Sequence, residues 1–243
     1  MSDAFAIEIA AKTHFDSDGR PVPVLRDLSM EMKVGAFTCI VGPSGCGKTT
    51  TMRILAGLEA EFTGTIDRRL STARISYAFQ EPRLLPWRTV AQNVALALGD
   101  AKPQSSLVSE ALTDVGLVGL GERYPAQLSL GQARRVSLAR AFAVEPDVLF
   151  LDEPFVSLDE AGAQRLRALL LDLWQRHGAT VLMVTHNVRE AVQLADQIVL
   201  FTERPAKVAD VIDVKLPRTE RDEVRISEFA RKLAGRYPDL IAA

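Results

Sequence analysis

Residues 42–49 read Gly42-Pro43-Ser44-Gly45-Cys46-Gly47-Lys48-Thr49 and lie between an apolar, β-branched run, Phe37–Val41, and a helix-forming stretch over residues 48–58. A strand that breaks into glycines and restarts as a helix leaves a chain few architectures. It answers one physical demand: backbone N–H groups that converge on phosphate oxygens, with the helix behind them offering its positive end. The eight residues match the G-x-x-x-x-G-K-[ST] pattern in full. Lys48 is placed to reach the β- and γ-phosphates as a point charge, and the Thr49 hydroxyl to ligate Mg2+. Gly42, Pro43, Ser44, Gly45, Cys46, Gly47, Lys48, Thr49 and the following Thr50 are the expected nucleotide-binding residues. A structural glycine turn, the competing reading, requires neither the lysine nor the strand and helix around the loop.

The acidic partner of such a loop stands at Val148-Leu149-Phe150-Leu151-Asp152-Glu153. Four apolar residues bury a strand, and its C-terminal end presents two carboxylates at the edge where open α/β sheets bind ligands. Asp152 is expected to hold Mg2+ through water, and Glu153 to polarise the attacking water as general base. A capping or solvated acid pair is the bland alternative, and the complete phosphate loop weighs against it.

Around these motifs the periodicity changes along the chain. Phe5, Ile7 and Ile9 share one face, as do Leu28, Met30 and Met32, which predicts two half-buried antiparallel strands joined by the polar turn 16–21. Further strands are expected at 64–67, 74–79, 148–151, 180–184 and 198–201, with helices at 161–176 and 188–195 between the later ones. That alternation indicates a parallel sheet covered on both faces. Residues 86–144 read as helical, with Leu107, Ala111, Leu112 and Val115 at helical spacing, and interrupt the pattern as an inserted lobe. Hydrophobic residues at 47% and charged residues at 25% exclude disorder for most of the 243 residues. With 29 Lys+Arg against 31 Asp+Glu, the balance gives no support to nucleic acid as main partner. No secretory leader is visible, no apolar run approaches the roughly 18 residues that span a bilayer, and Cys39 and Cys46 look like free thiols. A cytoplasmic location is expected.

Other phosphate-loop proteins share the loop and the acidic strand. What narrows the field is Leu128-Ser129-Leu130-Gly131-Gln132, just ahead of a long helical stretch that leads into the acidic strand. This resembles the signature of the ATP-binding-cassette (ABC) family, and the order of motifs matches that family from residue 5 to residue 202. The resemblance implies an α/β fold: a P-loop NTPase (RecA-like) core with a parallel sheet and an N-terminal antiparallel β subdomain (1–85 and 145–216), an inserted α-helical subdomain (86–144), and a charged helical tail (217–243). It implies that Gln80 is the glutamine-loop residue, that Ser157-Leu158-Asp159 is the D-loop, that His186 after Thr185 is the switch histidine, and that Phe15 stacks on adenine. Glu153, His186 and Gln80 are then the catalytic residues, and Thr49, Gln80 and Asp152 hold the metal. Ser129, Gly131, Gln132 and Asp159 join the ATP-binding set from a second copy, since in the family two cassettes sandwich ATP head to tail. Leu130 departs from the pattern, which has a glycine there; a side chain limits backbone freedom at that point.

The stretch Gln80-Glu81-Pro82-Arg83-Leu84-Leu85-Pro86-Trp87 resembles importer cassettes of the nitrate, sulfonate and taurine type. It implies ATP-driven solute uptake through a separate integral-membrane permease, served by a periplasmic or extracellular solute-binding protein. The cassette would sit on the inner face of the membrane. Leu84, Leu85 and Trp87 form the expected docking patch, or else pack the lobe on its own core. Arg134, Arg135 and Arg140 are expected to be solvated or paired within the subunit, Trp174 to be core, and His14 and His177 to have no role. A non-transport ABC ATPase acting as a clamp in DNA repair or translation is the second function class. It is disfavoured by the short insert and single phosphate loop. A GTPase is weaker still, because no Asn-Lys-x-Asp element is present.

Overall fold

The computed structural model describes residues 3–99 and 102–241. Along the chain the elements run β1 (Ala4–Phe15), β2 (Pro21–Lys33), β3 (Phe37–Val41), α1 (Lys48–Leu55), β4 (Thr63–Ile66), α2 (Arg69–Thr72) and β5 (Ile75–Ala78). They continue with α3 (Val90–Ala95), α4 (Ser106–Asp114), α5 (Leu130–Phe142), β6 (Val148–Asp152), α6 (Glu160–His177) and β7 (Thr180–Thr185). The chain closes with α7 (Val188–Leu194), β8 (Gln197–Phe201), β9 (Val208–Asp213) and α8 (Glu223–Arg236). Contacts divide it into two compact units, one of residues Met1–Ala73 and Thr180–Ala243, the other of Arg74–Ala179.

In the first unit β2-β1-β4 form an antiparallel sheet. The register Ile7↔Met30 and Ile9↔Leu28 aligns the two apolar faces that alternate in the sequence, and all four side chains are buried. Strand β3 is buried at every position and lies parallel between β7 and β8, which is why its sequence runs apolar without alternation. An unanticipated strand, β9, pairs antiparallel with β8, and its alternate residues are exposed, so its sequence carries only a weak period-2 signal. The charged tail packs one face of its helix inward. Ile226, Ala230 and Leu233 bury one face of α8, while Arg218 and Arg221 donate to the carbonyls of Leu194 and Gln193, each at 3.0 Å. These guanidinium groups satisfy the last carbonyls of α7, where cations also suit the helix dipole. Burial lowers the Arg221 guanidinium to about 10.

In the second unit β5 and β6 pair in parallel, α5 packs on β5, and α3, α4 and α6 pack on α5. Among the described residues the stretch 86–144 carries three α-helices and two short 3-10 turns. In α4 the buried residues are Val108, Ala111 and Leu112, and Val115 just beyond is also buried, while Leu107 is exposed. The buried face begins one residue later than the sequence spacing placed it, at the i, i+3, i+4, i+7 set that starts at Val108. Helix α1 likewise ends at Leu55, not 58, because Gly57 takes φ 70. Trp174 is core: its ring is buried and its Nε1 donates to the carbonyl of Ala179 at 2.8 Å. Trp174→Phe strips that donor from a buried carbonyl, and we expect a loss of about 1–2 kcal/mol of stability in denaturant unfolding.

Candidate nucleotide-binding and hydrolysis site

In the first unit the phosphate loop leaves β3 at Val41 and re-enters helix at Lys48. Gly42 and Gly47 are sterically required. A Cβ at position 42 would lie 2.8 Å from the Phe201 carbonyl oxygen. At Gly47, where φ is 120, a Cβ would lie 2.8 Å from Cδ2 of Leu25 and 2.9 Å from Cγ1 of Val24. Gly47 is also the N-cap of α1, and no side chain caps that helix. The donors of its first turn are therefore offered to an anion, where the dipole favours negative charge. Lys48 is buried, and its Nζ donates to the carbonyls of Gly42 and Pro43, each at 2.8 Å. The loop's own carbonyls thus hold the ammonium in place, so less ordering is left for the ligand to impose. Thr49 is half-buried and Thr50 is buried beside it. Burial raises the thiols of Cys46 and Cys39, which keeps both neutral and unreactive.

His186 follows β7 and is exposed. Its loop is fixed on either side: Thr185 Oγ1 donates to Glu190 Oε2 at 2.7 Å, Asn187 N donates to Thr185 Oγ1 at 3.0 Å, and Asn187 caps α7. Phe15 ends β1 and is 70% exposed, so its ring face is available for stacking. His14 bonds Glu59 at 2.9 Å, an intrachain partner that accounts for it.

In the second unit Asp152 ends β6, buried to 5% exposure, and its Oδ2 accepts from the Tyr77 hydroxyl at 3.0 Å. Glu153 follows with φ 43, a left-handed conformation that costs a non-glycine residue about 1–3 kcal/mol. Strain of this kind is kept where the direction of a side chain matters. Asp159 caps α6, its Oδ1 accepting from Gly162 N at 3.0 Å. Ser129 caps α5 in a reciprocal box: Gln132 N donates to Ser129 Oγ at 3.2 Å and Ser129 N donates to Gln132 Oε1 at 2.9 Å. Leu130 begins that helix, exposed at 42%. Its backbone lies outside the left-handed region that favours glycine. A Cβ on Gly131 would meet nothing within 4 Å.

Of the arginines expected to be solvated or paired within the subunit, Arg134 and Arg140 pair within it, with backbone carbonyls. Arg134 is not solvated; it is buried, donates to the carbonyl of Gln80, and donates to the carbonyl of Val156 at 3.1 Å. Burial lowers its guanidinium. Arg140 donates to the carbonyls of Pro82 and Arg83 at 2.8 and 3.0 Å. The glutamine segment is thereby tied to the signature helix by two guanidinium groups. Arg134, Ser137, Leu138 and Ala141 are all buried in α5 at the i, i+3, i+4, i+7 spacing that would have placed Arg134 inward. Thr49 in the first unit, and Gln80 and Asp152 in the second, each carry a hard oxygen donor of the kind Mg2+ takes.

The model of the ABC transporter family matches residues 25–156. The chain is 41% identical over 215 residues to the aliphatic sulfonates import ATP-binding protein SsuB 2 of Burkholderia cenocepacia (strain HI2424), covering 86% of this chain and 80% of that one. It is 42% identical over 219 residues to SsuB 1 of Streptomyces avermitilis, covering 90% and 82% respectively. Among solved structures it is similar to the dimeric post-hydrolysis state of the ATP-binding cassette MJ0796 bound to ADP and Pi, with TM-score 0.73 and 26% identity over 87% of this chain and 99% of that one.

Gly47→Ala forces a Cβ onto Val24 and Leu25 at a left-handed position. We expect it to lower the melting temperature and to remove binding of a fluorescent ATP analogue.

Proposed function

The chain belongs to the ABC transporter family, and from that premise we propose that it is the ATP-hydrolysing subunit of an importer, working as a pair of copies beneath a separate membrane permease. One observation carries this reading: a phosphate loop with its lysine already held in place, in a chain that also carries a second, serine-capped helix start at Ser129. Both relatives above are named as import ATP-binding proteins. Among the described residues no helix is long and apolar enough to cross a membrane, so on this reading the membrane contact runs through the permease, from the inner face. The solute is an aliphatic sulfonate or a small anion like it, delivered by a solute-binding protein.

In the proposed mechanism the loop N–H groups and Lys48 hold the β- and γ-phosphates, and Phe15 stacks on adenine. Thr49, Asp152 and Gln80 are the residues that would hold Mg2+, which when bound neutralises phosphate charge. Glu153 accepts a proton from the attacking water as it bonds to the γ-phosphorus and the bond to the bridging oxygen breaks. His186 donates to the charge that develops on the phosphate. Ser129, Gly131 and Gln132 close the site from the second copy, with Asp159 of the D-loop at the same interface. Among the described residues nothing lies within 4 Å of where a Cβ on Gly131 would be, which supports an open approach at that point. ATP then acts as removable glue between two copies, and hydrolysis releases them. The helical lobe 86–144 carries the signature in this scheme, and the tail from residue 217 lies outside it.

Leu84 and Leu85 are half-buried and Trp87 is 70% exposed. The exposure of Trp87 argues against its packing on the lobe's own core. Asn93 is fully buried and shapes this segment: its Oδ1 accepts from Leu85 N at 2.7 Å, and its Nδ2 donates to the carbonyls of Leu85, Arg88 and Thr89 at 3.2, 3.1 and 2.9 Å. A rigid loop presenting an aromatic anchor is suited to receive a permease helix.

Glu153→Gln should trap an ATP-bound dimer on a sizing column and reduce turnover at least a hundredfold; a variant that stays monomeric or keeps wild-type turnover would falsify the role of Glu153. Trp87→Ala should leave the ATPase of the isolated subunit near the wild-type rate and abolish uptake in reconstituted vesicles. Unfolding of that variant would favour a core role for the ring.

A further inference from the structure

Strand β5 carries a polar residue that the phosphate chemistry above leaves unused. Tyr77 is half-buried, and its hydroxyl donates to Oδ2 of Asp152 at 3.0 Å. In the parallel register Tyr77 lies opposite Phe150, with ring centroids 6.2 Å apart, and the Phe79 ring is 4.4 Å away on its other neighbour. Phe79 is itself covered by the Arg83 guanidinium at 4.0 Å, and Arg140 holds the Arg83 carbonyl at 3.0 Å. The phenol is therefore packed between rings that are themselves held, and its one donor is aimed at a buried carboxylate.

A carboxylate rotates freely about its last bond unless something engages one oxygen. Metal-holding carboxylates are oriented by such outer hydrogen bonds, and losing the partner weakens metal binding about tenfold or more. We propose that Tyr77 is a positioning residue for the metal-dependent part of ATP binding. By engaging Oδ2 it takes part in fixing the rotation of the Asp152 carboxylate. The inference rests on the reading of Asp152 as a metal-holding residue. A purely architectural tyrosine would need its ring and not its hydroxyl.

The test compares wild type and Tyr77→Phe for affinity to a fluorescent ATP analogue, once with Mg2+ and once with EDTA, beside their melting temperatures. We expect the EDTA affinity and the melting temperature to be unchanged, and the gain in affinity that Mg2+ brings to fall about tenfold. In an Asp152→Ala background, where the acceptor is gone, Tyr77→Phe should change nothing further. A Mg2+ gain equal to wild type overturns the proposal, as does an equal loss with and without Mg2+ or an additive loss in the Asp152→Ala background. Wild-type protein that binds the analogue with no Mg2+ gain at all overturns the reading of Asp152 itself, and the role of Tyr77 with it.

Discussion

The close approach of three backbone segments at the phosphate loop is the constraint on which the first unit depends. At Gly42 the loop meets the carbonyl of Phe201 on β8, and at Gly47 it meets Val24 and Leu25 on β2. The parallel strands and the antiparallel sheet therefore press on the same eight residues from two directions. This gives the N-terminal strands a purpose beyond core volume: they wall the loop, and a single methyl group at position 47 is enough to collide with them. The buried strand β3 delivers the loop, α1 supplies uncapped donors, and Lys48 is fastened across it by two carbonyls. Little is left to order when an anion arrives, and preorganised charge of this kind is what phosphoryl transfer asks of a protein.

The second unit solves a different problem with polar contacts. Burying the Arg134 guanidinium costs desolvation, and its Nε has no partner among the described residues. The compensation is positional: its other nitrogens tie the carbonyls of Gln80 and Val156 to the helix that Ser129 begins. Arg140 repeats the device at Pro82 and Arg83. The segment after β5, the loop after β6 and helix α5 are thereby joined within the second unit. Apolar packing alone would hold these loops less specifically, because it fixes volume and not the direction of a carbonyl.

Much of this was legible in the residues and some was not, for identifiable reasons. The phosphate loop and acidic strand were readable because each demands particular side chains at fixed spacing. The paired faces of β1 and β2 were readable because alternation survives in sequence. Strand β9 and the end of α1 were harder: a half-exposed edge strand shows little contrast, and a helix stop is set by the φ of one glycine. Arg134 and Arg135 are adjacent arginines of the same charge, and only the helical phase, about 100° apart, distinguishes the buried one from its neighbour. Leu130 stands where the sequence pattern has a glycine, and only the backbone shows that the position is the helical first residue of α5. The link from Tyr77 to Asp152 joins residues far apart in sequence and carries no local pattern at all.

The central claim is that one copy supplies the loop and another the signature to each ATP. Mixing two inactive variants tests this directly: Lys48→Ala, which spoils the loop and keeps the signature, and Ser129→Arg, which does the reverse. A mixed head-to-tail dimer contains one intact combination of loop and signature. The account predicts that the mixture hydrolyses ATP while neither preparation does so alone. A mixture as inactive as its components would contradict it.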